Sequence, residues 1–278
     1  MQTLNRSDVD LYYERAGSGP PILFIQGVGV AGECWRPQVE ALRPSYQTLL
    51  FDNRGIGKSL PCRGLVSIET MAEDARALLD EAGWESAHVV GHSMGGVIAQ
   101  QLALSSPQRV RSLSLLCTFG RGKDAARLTP WVLWMTLRTR LGTRRMRRQA
   151  FLEMLWPSDA LHAANAEKLA NQVAGLVGRD LADQPAVLMK QVRALARHDT
   201  SKRLGELATI PTLVLSAEHD PIALPHYGRM LAAGIPGAQF EIMTGSSHGV
   251  TIQNADQISQ RLRKFLDTVE AGKAMEVR

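Results

Sequence analysis

Apolar and polar positions follow two rhythms along this chain. A continuous apolar run occupies Ile22-Leu23-Phe24-Ile25, and short apolar-rich stretches at 46–51, 87–90 and 110–117 also read as strands. Runs of that length without alternation are expected of parallel strands covered on both faces. A weaker run, Val9-Asp10-Leu11-Tyr12-Tyr13 within 8–16, reads as a strand near a sheet edge. Between the runs the apolar spacing becomes helical. Trp35 and 39–42 predict a short helix. Ser67 is a good N-cap; Ile68, Met71, Ala75, Leu78, Leu79 and Ala82 then share one face, and Gly83 stops the helix. Val97, Ile98, Gln101 and Leu102 mark another helix, ending before Pro107. Alternation of strand and helix predicts right-handed βαβ units and a parallel sheet.

The rhythm breaks after Phe119. Residues 120–207 read as helices. One opens at Thr129-Pro130 with Trp131, Trp134, Met135 and Leu141. A second carries Phe151, Met154, Leu155 and Trp156 and stops at Pro157. A third opens at Ser158 with Leu161, Leu169, Val173 and Leu176. A fourth follows Asp183 and Pro185 with Leu188, Val192 and Leu195. The strand pattern returns at Thr212-Leu213-Val214-Leu215 and 240–243, and a last helix from near Asn254 uses Ile258, Leu262, Phe265, Leu266 and Val269. The expected organisation is a core of 1–119 and 208–278, with 120–207 inserted as a helical cap over the sheet.

Composition narrows the class. The chain has 278 residues, 45% hydrophobic and 21% charged, with a formal net charge of +5. That is an ordinary globular mix with a small basic surplus. Cys34, Cys62 and Cys117 are widely spaced, and no Cys/His cluster has metal-ligand spacing, so reduced thiols in a cytoplasmic protein are expected. The first residues show no leader pattern, and no apolar stretch approaches the ~20 residues needed to cross a bilayer. No nucleic-acid or membrane partner is expected; a homo-oligomer is left open.

The candidate chemistry centres on Gly91-His92-Ser93-Met94-Gly95-Gly96, between a strand and a helix. A Gly-x-Ser-x-Gly turn there is sharp and lifts the Ser93 hydroxyl toward the N–H groups of the following helix. A serine hydroxyl needs a base, and the base needs a carboxylate to orient it. Asp220 and His248 each follow a predicted strand, so both belong at the sheet edge that carries Ser93. Serine, aspartate, histidine is the chain order that accompanies this turn. His92 lies inside the turn and should point away from its apex; His219 is too close to Asp220 to fold back onto it. His88, His162, His198 and His226 lack a matching turn. An oxyanion needs preorganised N–H donors. Met94 N–H is one candidate and Val28 N–H, in Gln26-Gly27-Val28-Gly29, is the other.

With those residues in view, the chain resembles the α/β-hydrolase superfamily across nearly its whole length. Phe51-Asp52-Asn53-Arg54-Gly55-Ile56-Gly57-Lys58-Ser59 and 211–220 match further landmarks. The resemblance implies an α/β fold with a mostly parallel eight-stranded sheet, a helical lid after the sixth strand, and no cofactor. Relatives usually carry His-Gly where this chain has Gln26-Gly27. Dehalogenases and epoxide hydrolases are similar but carry Asp at the turn, so Ser93 argues against both. The segment layout is similar to that of small carboxylesterases and 3-oxoadipate enol-lactonases, which implies hydrolysis of a small ester or lactone. C–C bond hydrolases and cofactor-free haloperoxidases share the triad, and a ligand receptor on this scaffold is the non-enzymatic alternative. Gln26, Gly27, Trp131, Trp134, Met135 and Trp156 are the expected substrate contacts, the last four as an apolar acyl pocket. A basic cluster, Arg138, Arg140, Arg144, Arg145, Arg147 and Arg148, offers the competing possibility of one arginine turned inward onto a substrate carboxylate.

Overall fold

Every residue of Pro21–Ile25 is buried, and so is every residue of Ala87–His92, because helices cover both faces of the sheet there. The computed structural model describes residues 2–125, 130–163 and 165–276. Its strands are β1 (Gln2–Asn5), β2 (Asp10–Ala16), β3 (Pro21–Ile25), β4 (Gln47–Phe51), β5 (Ala87–His92), β6 (Val110–Leu116), β7 (Thr212–Ala217) and β8 (Gln239–Met243). They form one sheet in the order β1-β2-β4-β3-β5-β6-β7-β8. β1 with β2 and β2 with β4 are antiparallel; every other pair is parallel. This is the expected mostly parallel eight-stranded sheet. The 8–16 strand lies near the edge as expected, and Gln2–Asn5 adds an edge strand outside it.

The helices are α1 (Arg36–Leu42), α2 (Ile68–Glu81), α3 (Met94–Ser105), α4 (Gly122–Ala125), α5 (Pro130–Arg138), α6 (Arg144–Leu155), α7 (Ser158–Ala163), α8 (Ala166–Val177), α9 (Leu188–Arg197), α10 (Pro225–Gly234), α11 (Val250–Gln253) and α12 (Ala255–Glu276). The Ser67 hydroxyl accepts from Thr70 N–H, closing a capping box on α2. Among the described residues, no helix is long and apolar enough to cross a membrane.

Helices α4 to α9 all lie between β6 and β7. Gly122 N–H donates to His198 O at 2.9 Å and Thr200 N–H to Gly120 O at 2.8 Å, so the two stems of this segment are joined at a neck. Above the neck Phe151, Leu152, Trp156, Leu161, Val173 and Leu181 form a small apolar cluster of their own, seated on Cys34. Leu204 and Leu207 already belong to the main core. The third expected helix is two: Asn165 starts α8 afresh by accepting from Lys168 N–H. Thr129, expected to open α5, lies outside the described residues.

The landmark loop after β4 is a brace. Asp52 accepts from Gly32 N–H at 2.7 Å and Lys58 N–H at 2.8 Å. Arg54 is paired with Asp74 (2.6 Å), both almost fully buried, and also with Asp8. Taking away one partner of such a pair strands the other. Asp74→Ala is therefore expected to destabilise the fold by about 3–5 kcal/mol, read as a lowered urea midpoint at constant slope.

Candidate active site

Parallel register brings the ends of several strands to one edge. Ile25 of β3 pairs with Gly91 of β5, so Gln26 and Gly27 emerge beside His92 and Ser93. On the other side His92 pairs with Leu116, and Ser93 N–H donates to Leu116 O at 2.9 Å. Asp220 follows β7 and His248 follows β8 at the same edge.

Ser93 has φ 55 and ψ −123, a left-handed conformation that costs a non-glycine residue on the order of 1–3 kcal/mol. The flanking glycines make the turn sterically feasible. A Cβ at Gly91 would lie 2.4 Å from Gly95 O, and one at Gly95 would lie 2.1 Å from Ile25 O. The strain aims the hydroxyl at an imidazole. Ser93 Oγ is 3.1 Å from His248 Nε2, and His248 Nδ1 is 2.7 Å from Asp220 Oδ2. Asp220 Oδ1 also accepts from Ile222 and Ala223 N–H, both at 2.8 Å. These two donors hold the carboxylate still. A carboxylate accepting from Nδ1 puts the ring proton there and leaves the Nε2 lone pair facing the hydroxyl. All three side chains are buried. The structure thus brings together the three residues that the sequence pattern singled out, in an arrangement able to deprotonate an alcohol.

Gln26-Gly27-Val28-Gly29 approaches Ser93 so closely that a Cβ at Gly27 would be 3.0 Å from Ser93 Cβ. Asn53 anchors the loop by donating to Gln26 O at 2.8 Å. Met94 opens α3, whose first N–H groups have no intrahelical acceptor. Gly27 and Met94 therefore flank Ser93, and Val28 is the next residue of the Gln26 loop.

Two further residues support this edge. His92 does point away from the apex, as expected, but it is not idle. Its Nε2 donates to the His248 carbonyl (2.9 Å), and its Nδ1 lies 3.0 Å from Gln26 Oε1, which also takes Gly27 N–H (2.7 Å). Burial, then the neighbouring His248, pushes His92 down to about 3, so the ring is neutral. Through its Nε2–H it holds the His248 loop, with Nδ1 packed against the Gln26 side chain. Gln191 on α9 accepts from Gly29 N–H at 2.9 Å and fixes the Gln26 loop. Neither role carries a local sequence signal. Cys117, with φ 45, is buried beside Asp220, and burial and that carboxylate hold its thiol protonated. His92, Cys117 and His248 present ligand atoms within 4.8 Å of one another. Three of the four imidazole nitrogens already contact the His248 carbonyl, Asp220 and Ser93.

Between β6 and β7 the apolar candidates divide. Trp131 is 36% exposed and Trp134 is 57% exposed. They stand at the surface, because α5 offers its neighbours little beyond Met135. Met135 and Trp156 are buried, and Trp156 packs inside the small apolar cluster. Of the basic cluster, Arg138 is paired with Glu153, Arg144 with Asp180 and Asp183, and Arg148 with Asp180. What does reach the site edge is Leu155, whose carbonyl accepts from Gly249 N–H at 2.9 Å, and the segment 179–191 above Gly29.

Comparison with known proteins agrees with this geometry. Residues 20–255 match the family described as alpha/beta hydrolase fold. A protein of Azorhizobium caulinodans named "Putative carbamate hydrolase RutD" is 33% identical over 97% of this chain and 100% of its own. The enol-lactonase from Burkholderia xenovorans LB400 superposes with a TM-score of 0.80 at 26% identity, covering 96% of this chain and 100% of that one. Est816, described as an N-acyl homoserine lactone degrading enzyme, superposes with a TM-score of 0.79 at 26% identity, covering 95% and 100%. Sheet order, the strained serine turn and these likenesses agree: the chain belongs to the alpha/beta hydrolase fold family.

Proposed function

We propose that this hydrolase cleaves small carboxylic esters or lactones through an acyl-enzyme on Ser93. The unbroken contact chain from Ser93 through His248 to Asp220 supports the reading most directly. In this reading His248 Nε2 takes the Ser93 proton as Oγ attacks the carbonyl carbon. Negative charge then develops on the carbonyl oxygen, and Val28 and Met94 N–H meet it. His248 next gives its proton to the leaving oxygen; in a lactone that oxygen stays tethered to the acyl group. Water, deprotonated by the same imidazole, releases the acid. Asp220 keeps the imidazolium oriented and stabilised throughout. A carbamate carbonyl offers the same centre to the same groups, and the RutD likeness makes it the second substrate to test.

Residues 120–207 act in this proposal as a cap over the site. Their small apolar cluster and hydrogen-bonded neck support that division. Full burial of an acyl chain would gain about 0.8 kcal/mol per methylene, roughly fourfold in kcat/KM. With Trp131 and Trp134 at the surface, the gain should fall short of this. The test is a series of 4-nitrophenyl esters from acetate to octanoate, followed beyond one turnover per enzyme. Sustained turnover with a shallow length dependence is expected. A single burst would favour a receptor, and a fourfold rise at every step through octanoate would restore the apolar acyl pocket.

A further inference from the structure

A cation near the site is Arg179, just after the left-handed Gly178 that ends α8. Its guanidinium is half-buried over the Phe151 ring, with Cζ 5.4 Å from the centroid. Nη2 donates to Gly29 O and Nη1 to Asp180 O, both at 3.2 Å, and the buried Nε has no partner. Among the described residues no carboxylate pairs with it. The adjacent Asp180 carboxylate is committed to Arg144 and Arg148. Loss of hydration accordingly lowers the Arg179 pKa from its ordinary value. Carbonyl oxygens, the Phe151 face and the charge of Asp183 without a direct ion pair leave part of the guanidinium's desolvation uncompensated. An anion would compensate it.

The position says which anion. Arg179 grips the same loop that borders Ser93. A Cβ at Gly27 would be 3.0 Å from Ser93 Cβ, and one at Gly29 would be 3.7 Å from Arg179 Nη2. Two residues of chain span at most about 7 Å. The serine and the guanidinium are therefore at the two ends of one short loop. We infer that Arg179 binds a carboxylate carried by the substrate, so that the enzyme acts on esters or lactones whose acyl part ends in a second, ionised acid group. The inference rests on the serine-hydrolase reading and deepens it. It also differs from the possibility read from the sequence, since the cation lies outside the 138–148 cluster.

The test compares 4-nitrophenyl hydrogen succinate, glutarate and adipate with neutral 4-nitrophenyl butyrate and valerate. The readout is the ratio of kcat/KM for acidic over neutral esters. The ratio should exceed ten for the best acidic ester in the unaltered enzyme. Arg179→Gln should lower it at least tenfold, the usual scale for a charge-assisted contact. Arg179→Lys keeps the charge but loses the planar fork, so it should fall between. Arg145→Gln, a change at an exposed cap arginine, should leave the ratio unmoved. A thermal midpoint for each variant separates misfolding from specificity; if Arg179→Gln does not fold, the Arg179→Lys ratio decides. A ratio that stays the same in a folded Arg179 variant overturns the inference while leaving the hydrolase reading intact. Absence of turnover on every ester, acidic and neutral, overturns both.

Discussion

Ser93→Ala should abolish labelling by a fluorophosphonate probe and lower kcat by about six orders of magnitude, the loss seen when a serine nucleophile that acts jointly with its base is removed. The geometry explains why so little should remain. Among the described residues, the Ser93 hydroxyl is the one hydroxyl in contact with His248 Nε2. Alanine at this position still has to accept φ 55, so the strain stays while the chemistry goes. The variant should therefore fold with a thermal midpoint close to that of the parent. Labelling that survives the substitution would show that the nucleophile is elsewhere.

How much of this was legible in the sequence depends on how local each determinant is. The apolar runs at 22–25 and 87–90 declared their strands because burial on both faces demands mostly apolar residues. The serine turn was legible because backbone collisions at Gly91 and Gly95 exclude every side chain, a purely local requirement. Asp220 and His248 were legible through strand alternation, which places them at one edge without any knowledge of distances. β1 was not. Gln2-Thr3-Leu4-Asn5 is polar, and what makes it a strand is the free edge of β2 that it pairs with. The break between α7 and α8 was hidden because apolar spacing runs across it, and only the Asn165 cap marks it.

The segment between β6 and β7 was the least legible region, for a physical reason. Large apolar residues there serve two competing ends, packing the small cluster or remaining at the surface, and composition does not separate them. Trp156 does the first and Trp134 the second. The arginines pose the same problem. Arg144, Arg148 and Arg179 are alike in sequence; only the fold shows that Asp180 serves the first two and leaves the third to backbone carbonyls. His92 and Gln191 act through contacts with residues 66 to 162 positions away, which no spacing rule can anticipate.

Asp220→Asn should lower kcat by on the order of 10⁴-fold, as the same change does in a serine protease triad. The fold should survive it, because the amide is nearly the same shape. What changes is the direction of the hydrogen bonds. Oδ1 now accepts from Ile222 and Ala223 N–H, and an amide oxygen can keep those two bonds. The amide nitrogen then occupies the Oδ2 position, 2.7 Å from His248 Nδ1, and it can only donate. The imidazole must turn its Nδ1 lone pair toward that donor and carry its proton on Nε2. The proton then faces the Ser93 hydroxyl, so the ring can no longer act as its base. The two backbone donors favour this wrong tautomer, because they oppose an amide flip that would restore an acceptor. Measured kcat at saturating ester, with fluorophosphonate labelling slowed in parallel, checks the argument. A loss of less than tenfold would place the orienting acid elsewhere in the chain, with Asp124 on α4 the first carboxylate to replace.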